Sequence, residues 1–114
     1  MNKSLQRITY MKKSTSSLAK ILKAAKEGNA VAQNKLGIMY LTGKGVPKNN
    51  AEAVKWFLKA AKQEDASARF MLGLMYEEGN GVPQDYAEAA KWYSNAAQQG
   101  DADAQLRLDE MKDR

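Results

Sequence analysis

The chain has 114 residues, 44% of them hydrophobic and 27% charged, with a net charge of +5 and neither Cys nor His. Disulfides, thiolate zinc sites, Cys nucleophiles and His-based acid/base pairs are thereby excluded, and no apolar run approaches the roughly 20 residues that span a membrane. The charge is uneven: residues 1–30 hold seven Lys/Arg against Glu27 alone, whereas the rest holds eleven basic and twelve acidic groups.

The length suits one domain or a short stack of repeats. Residues 1–13 carry Leu5, Ile8 and Met11 every third position, which fits either one edge of a short helix or a frayed basic arm. They lack the apolar core of a signal peptide, so a cytoplasmic chain is expected, or a periplasmic or secreted one if a leader has been removed. Residues 14–27 read as a helix, with Ser14 as a possible N-cap, Leu18, Ile21, Leu22 and Ala25 at helical spacing, and Gly28 as the stop.

Residues 30–42 form the next helix, with Ala32, Leu36, Met39 and Tyr40 in one apolar stripe. The stripe returns as Ala68, Leu72, Met75 and Tyr76, and again as Ala104, Leu108 and Met111. Each match lies 36 residues on, as Gly73 does from Gly37 and Pro83 from Pro47. A fixed period of this size marks stacked helical repeats. Gly37 and Gly73 sit inside their helices, where Gly costs about 1 kcal/mol relative to Ala, so a partner helix is expected to approach closely there. The third copy holds Asp109 in that column.

Loops 43–48 and 79–84 share Gly-x-Gly-Val-Pro. Gly43 and Gly79 are expected to close their helices in the left-handed conformation, Val46 and Val82 to plug the loop, and Pro to bar helix continuation. Asn49 and Asp85 follow as N-caps, with Glu52 and Glu88 three residues on in a capping-box pattern. The second helices, 50–63 and 86–99, carry Ala53, Trp56, Phe57, Ala60 and Ala61, matched by Ala89, Trp92, Tyr93, Ala96 and Ala97. The two Trp are expected to wedge between neighbouring helices; the first half-repeat has Lys20 in their column. The chain thus divides into an arm, 1–13, and a stack, 14–114. The stack comprises a half repeat (14–28), two repeats (30–63 and 66–99) and a capping helix (101–112), six helices in all.

The run Ala-x-Ala-x-x-x-Leu-Gly-x-Met-Tyr-x-x-Gly-x-Gly-Val-Pro, continued by Asn/Asp-x-Ala-Glu-Ala-x-Lys-Trp-Phe/Tyr-x-x-Ala-Ala, resembles the Sel-one-like repeat (SLR), a relative of the tetratricopeptide repeats. The match covers roughly residues 14–108; Glu64 departs from it where Gly28 and Gly100 stand in the other copies. The resemblance implies an all-α fold, a right-handed α/α solenoid of antiparallel hairpins. It also implies an adaptor for protein complexes of a kind common in bacteria; from the residues themselves neither a cofactor nor enzymatic activity is expected.

Columns that match across copies are structural, so partner contacts belong where they differ. On the first helices these are Val31/Ser67, Asn34/Phe70, Ile38/Leu74 and Leu41/Glu77. Ile38 lies two residues from Leu36, about 200° around the helix, and so off its burial face. A partly apolar groove of Asn34, Ile38, Leu41, Phe70, Leu74 and Leu106 is the candidate site, with Glu77 and Glu78 at its rim. A second reading packs Phe70 and Leu106 on the preceding first helix. The Gly-x-Gly loops lack the strand and Lys-Ser/Thr of a phosphate loop, and Glu77 and Glu78 point in different directions, so no catalytic pair is present. The partner class is another protein. Two alternatives stay open: docking of basic residues 1–30 on nucleic acid or an anionic membrane, and head-to-tail self-association of the unlike ends.

Overall fold

The computed structural model describes residues 17–113. Six helices follow one another without a strand among the described residues: α1 (17–26), α2 (Ala30–Thr42), α3 (Asn50–Ala61), α4 (Ala66–Glu78), α5 (Tyr86–Gln98) and α6 (Ala102–Lys112). The expected N-cap Ser14 and the arm 1–13 lie outside the described residues. Helices α3 and α5 end one or two residues sooner than the sequence suggests, and the chain then turns through positive φ at Glu64 (65°) and Gly100 (95°).

Side-chain caps set the starts. Asn29, Asn49, Asp65, Asp85 and Asp101 each accept a hydrogen bond from the backbone N–H three residues on. These bonds satisfy donors that have no partner within the helix. The capping box forms only half-way. Glu52 and Glu88 do not reach back to the cap; they pair with Lys55 and Lys91 at 3.7 and 3.8 Å. The N–H groups of Asn49 and Asp85 instead donate to the carbonyls of Tyr40 and Tyr76, which ties each loop to the helix before it. Gly43 and Gly79 close α2 and α4 in the left-handed region, their N–H groups donating to Met39 and Met75.

The core runs through the stack as three clusters. Ala25, Ala32, Leu36 and Trp56 gather α1, α2 and α3, with Leu18 and Leu22 packed against them. Val54, Phe57, Leu72 and Met75 join α3 to α4, with Leu41, Leu58, Val82 and Trp92 at the edge. Ala89, Tyr93, Ala96 and Ala104 hold α5 between α4 and α6. Each Trp therefore belongs to a cluster that joins residues of its own repeat to residues of the preceding one, as its wedge position predicts.

The interior glycines have the expected cause. A Cβ on Gly37 would lie 2.6 Å from the Phe57 ring, and one on Gly73 would run into the Tyr93 ring. The rings occupy the space the missing side chains leave, so ring and glycine are two halves of one contact.

A polar ladder joins the repeats. The Gln33 amide donates to the Ala25 carbonyl at 3.0 Å, and Gln63 donates to Gln33 at 2.9 Å. One repeat later Arg69 donates to the Ala61 carbonyl at 3.2 Å and to Gln99 at 2.8 Å, and Gln99 donates to the Glu64 carbonyl. The Ala25 and Ala61 carbonyls, at the C-terminal ends of α1 and α3, already accept from the N–H groups of Gly28 and Glu64 and thereby gain a second donor from the following first helix.

Candidate protein-binding face

The candidate face lies on the first helix of each pair, α2, α4 and α6. Its apolar stripe turns inward, so positions about half a turn away are left outside. Val31 is 60% exposed, Ile38 38% and Leu106 58%, an apolar residue or two at each end of the face. Asn34 is half-buried and its amide donates to the Ser67 hydroxyl at 3.3 Å, which brings α2 and α4 side by side.

Between these ends the face is more deeply set. Phe70 and Leu74 are half-buried against the Tyr93 cluster, and the Phe70 and Tyr93 rings lie tilted with centroids 5.7 Å apart. Phe70 thus packs on the second helix of its own hairpin. Leu106, in the same column, stays mostly exposed. Leu41 is half-buried against the α3–α4 cluster and offers only part of its side chain.

The two glutamates separate. Glu78 is exposed and accepts from the Asn80 amide at 2.9 Å. Glu77 is buried, which corrects its placement at the rim. The Tyr93 hydroxyl donates to it at 3.0 Å and Arg107 lies 3.6 Å from its other oxygen. The cost of burying this carboxyl group is offset by the phenol's hydrogen bond and by the guanidinium beside it. The Tyr93 phenol is pushed up from its ordinary value near 10, by burial first and then by its bond to Glu77 and that group's charge. Arg107 went unnoticed in the sequence. It stands in the column of Met71, so no repeated pattern points to it.

The basic helix α1 presents Lys20, Lys23 and Lys26, all exposed. Among the described residues no group of His, Cys, Asp and Glu is arranged to hold a metal ion. No helix described is long and apolar enough to cross a membrane.

A search of curated protein sequences finds no match to the chain. The family model described as the Sel1 repeat matches twice, at residues 30–65 and 66–101. Among solved structures the chain is similar to c5321, a protective antigen of uropathogenic Escherichia coli with an SLR fold, at 45% identity and a TM-score of 0.79. That match covers 80% of this chain and only 20% of the antigen. A Sel1 repeat protein from Oxalobacter formigenes matches at 39% identity and a TM-score of 0.80, over 82% of this chain and 70% of its own. Cysteine-rich protein B of Helicobacter pylori matches at 28% identity and a TM-score of 0.73, over 77% of this chain and 66% of its own. Proteins built of this repeat generally mediate protein–protein interactions, and the family is one of non-catalytic helical scaffolds. With two tandem copies matched across residues 30–101 and the same fold in solved relatives, the chain belongs to the Sel1 repeat family.

Proposed function

We propose that the chain is a non-enzymatic adaptor or inhibitor that holds a segment of another protein along the first-helix face. The observation that carries this is the exposure of Val31, Ile38 and Leu106 on that face, with half-buried Phe70 and Leu74 between them. Apolar side chains left outside a stack that has buried its own stripe mark a surface for a partner. The floor is apolar and Glu78 borders it, so the fitting ligand is an extended or helical segment with apolar anchors and a basic flank.

Ile38→Glu and Leu106→Glu test this without entering the core, since both side chains reach solvent. Affinity capture from the native host with the double variant, still helical by circular dichroism, is expected to lose the partner that the native chain recovers. Undiminished recovery overturns the assignment of the face. Recovery that survives both substitutions but falls steeply with salt places the contact on the basic end instead.

A further inference from the structure

Between α5 and α6 the described residues form a cleft of about 490 Å³, lined by Ala87, Ala90, Lys91, Ser94 and Asn95 of α5 and Leu108 of α6. Its position in the repeat says what it is built for. Ala90, Ser94 and Leu108 lie one 36-residue period beyond Val54, Leu58 and Leu72, and two beyond Leu18, Leu22 and Leu36. The first of these earlier sets shares a cluster with Trp92, and the second shares one with Trp56. The same three positions therefore share a cluster with an indole twice within the chain, and at the third occurrence no Trp among the described residues joins them.

This third copy is also modified. Ala90 replaces Val and Leu, which widens it. Ser94 replaces two Leu and adds a hydroxyl acceptor, whereas neither Trp56 Nε1 nor Trp92 Nε1 has a hydrogen-bond partner inside the stack. The residue after each internal Trp is a ring, Phe57 or Tyr93, pressed onto Gly37 or Gly73. On α6 Asp109 stands in the glycine column, exposed, with Oδ1 accepting from the Gln105 amide at 3.0 Å, and a carboxylate there disfavours a ring and favours a cation. Asp101, Asp103, Asp109, Glu110 and Asp113 outnumber Arg107 and Lys112 among the last described residues, and the one cation in the cleft lining, Lys91, is paired with Glu88 at 3.8 Å.

We propose that this cleft is a third indole seat whose occupant is a helix of a partner protein presenting Trp followed by Lys or Arg. It would extend the existing α3–α5 interface by one period. A second copy of this chain does not fit, because its α1 offers Lys20 and Ile21 in those two columns and its own Trp are already seated.

A peptide of residues 85–99 carrying Tyr93→Lys supplies the probe, titrated into the full chain and followed by amide chemical shifts. Binding is expected at roughly millimolar affinity or tighter, since a short free helix must first be ordered. The shifts should centre on Ala90, Ser94 and Leu108. Trp92→Ala in the peptide should weaken binding about tenfold or more. On the native chain the Lys peptide should outbind the unmodified Tyr peptide. That order should reverse on the Asp109→Gly chain, and Asp109→Lys, which keeps a good helix former, should weaken the Lys peptide. Ile38→Glu and Leu106→Glu should leave all of this unchanged, which separates the end from the first-helix face. Absence of binding, indifference to the indole, shifts centred on Val31 and Ile38, or concentration-dependent self-association through the cleft would each overturn the proposal.

Discussion

Glu64 takes φ of 65°, the only described non-glycine residue in the left-handed region, where Gly28 and Gly100 stand in the other copies. A side chain there costs about 1–2 kcal/mol, and Gly gives back about 0.5–1 through its freer unfolded chain. Glu64→Gly is accordingly expected to raise stability by about 0.5–1 kcal/mol, read as a higher urea midpoint with unchanged slope. The ring–glycine pairs respond the other way. Gly37→Ala and Gly73→Ala should each cost about 1–3 kcal/mol by overpacking, although Ala is intrinsically the better helix former. At Asp109 no ring presses on the helix, so Asp109→Ala should carry no such penalty.

Tyr93 sets a pH limit at the same scale. Its phenol is neutral in the fold and held above its ordinary pKa by burial and by Glu77. Folding therefore favours the protonated form. The contribution is complete below the unfolded value near 10 and is lost as pH climbs past it. Unfolding free energy measured from pH 9 upward should fall more steeply for the native chain than for Tyr93→Phe. Equal slopes would show that the phenol is not the group concerned.

At the scale of helices, the pattern of hairpins was readable because local and tertiary demands coincide. The Leu36/Leu72 stripe, the Asn49 and Asp85 caps and the Gly-x-Gly-Val-Pro loops each need particular residues at particular offsets, and two copies state the offset twice. The contacts that eluded the sequence are those made once or made by long polar side chains. Arg107 reaches Glu77 from a column that holds Met one repeat earlier. The Gln33–Gln63 and Arg69–Gln99 ladder does repeat, but its members differ in type and look like ordinary surface residues. The candidate face was legible in outline only: Ile38 and Leu106 are exposed as their helical phase requires, whereas burial of Glu77 depends on Tyr93 and Arg107 together. The ladder has a measurable weight. Arg69→Ala removes one of the two donors to the Ala61 carbonyl, which keeps the Glu64 N–H, together with the bond to Gln99, and should cost about 0.5–1.5 kcal/mol; Lys in its place should not restore the lost stability, because it lacks the planar fork that reaches two acceptors.

Across the whole molecule, each helix pair touches mainly its neighbours, so stability is shared along the stack. The cluster joining α3 to α4 is flanked on both sides, whereas α6 packs on α5 from one side only and has a single fully buried residue, Ala104. Hydrogen exchange is therefore expected to be slowest at Phe57, Leu72 and Met75 and fastest along α6. Uniform protection from α2 to α6 would mean that the stack opens as one unit.

Asp109 has a meaning for chain length. A stack of this kind never closes on itself, so nothing in its geometry counts the repeats; the count must be written in side chains. A carboxylate where both earlier copies have glycine removes the ring–glycine contact on which the two earlier hairpins are built. Restoring Gly at 109 and appending a copy of residues 77–112 after Lys112 would move the carboxylate to the new end and give a molecule one unit longer.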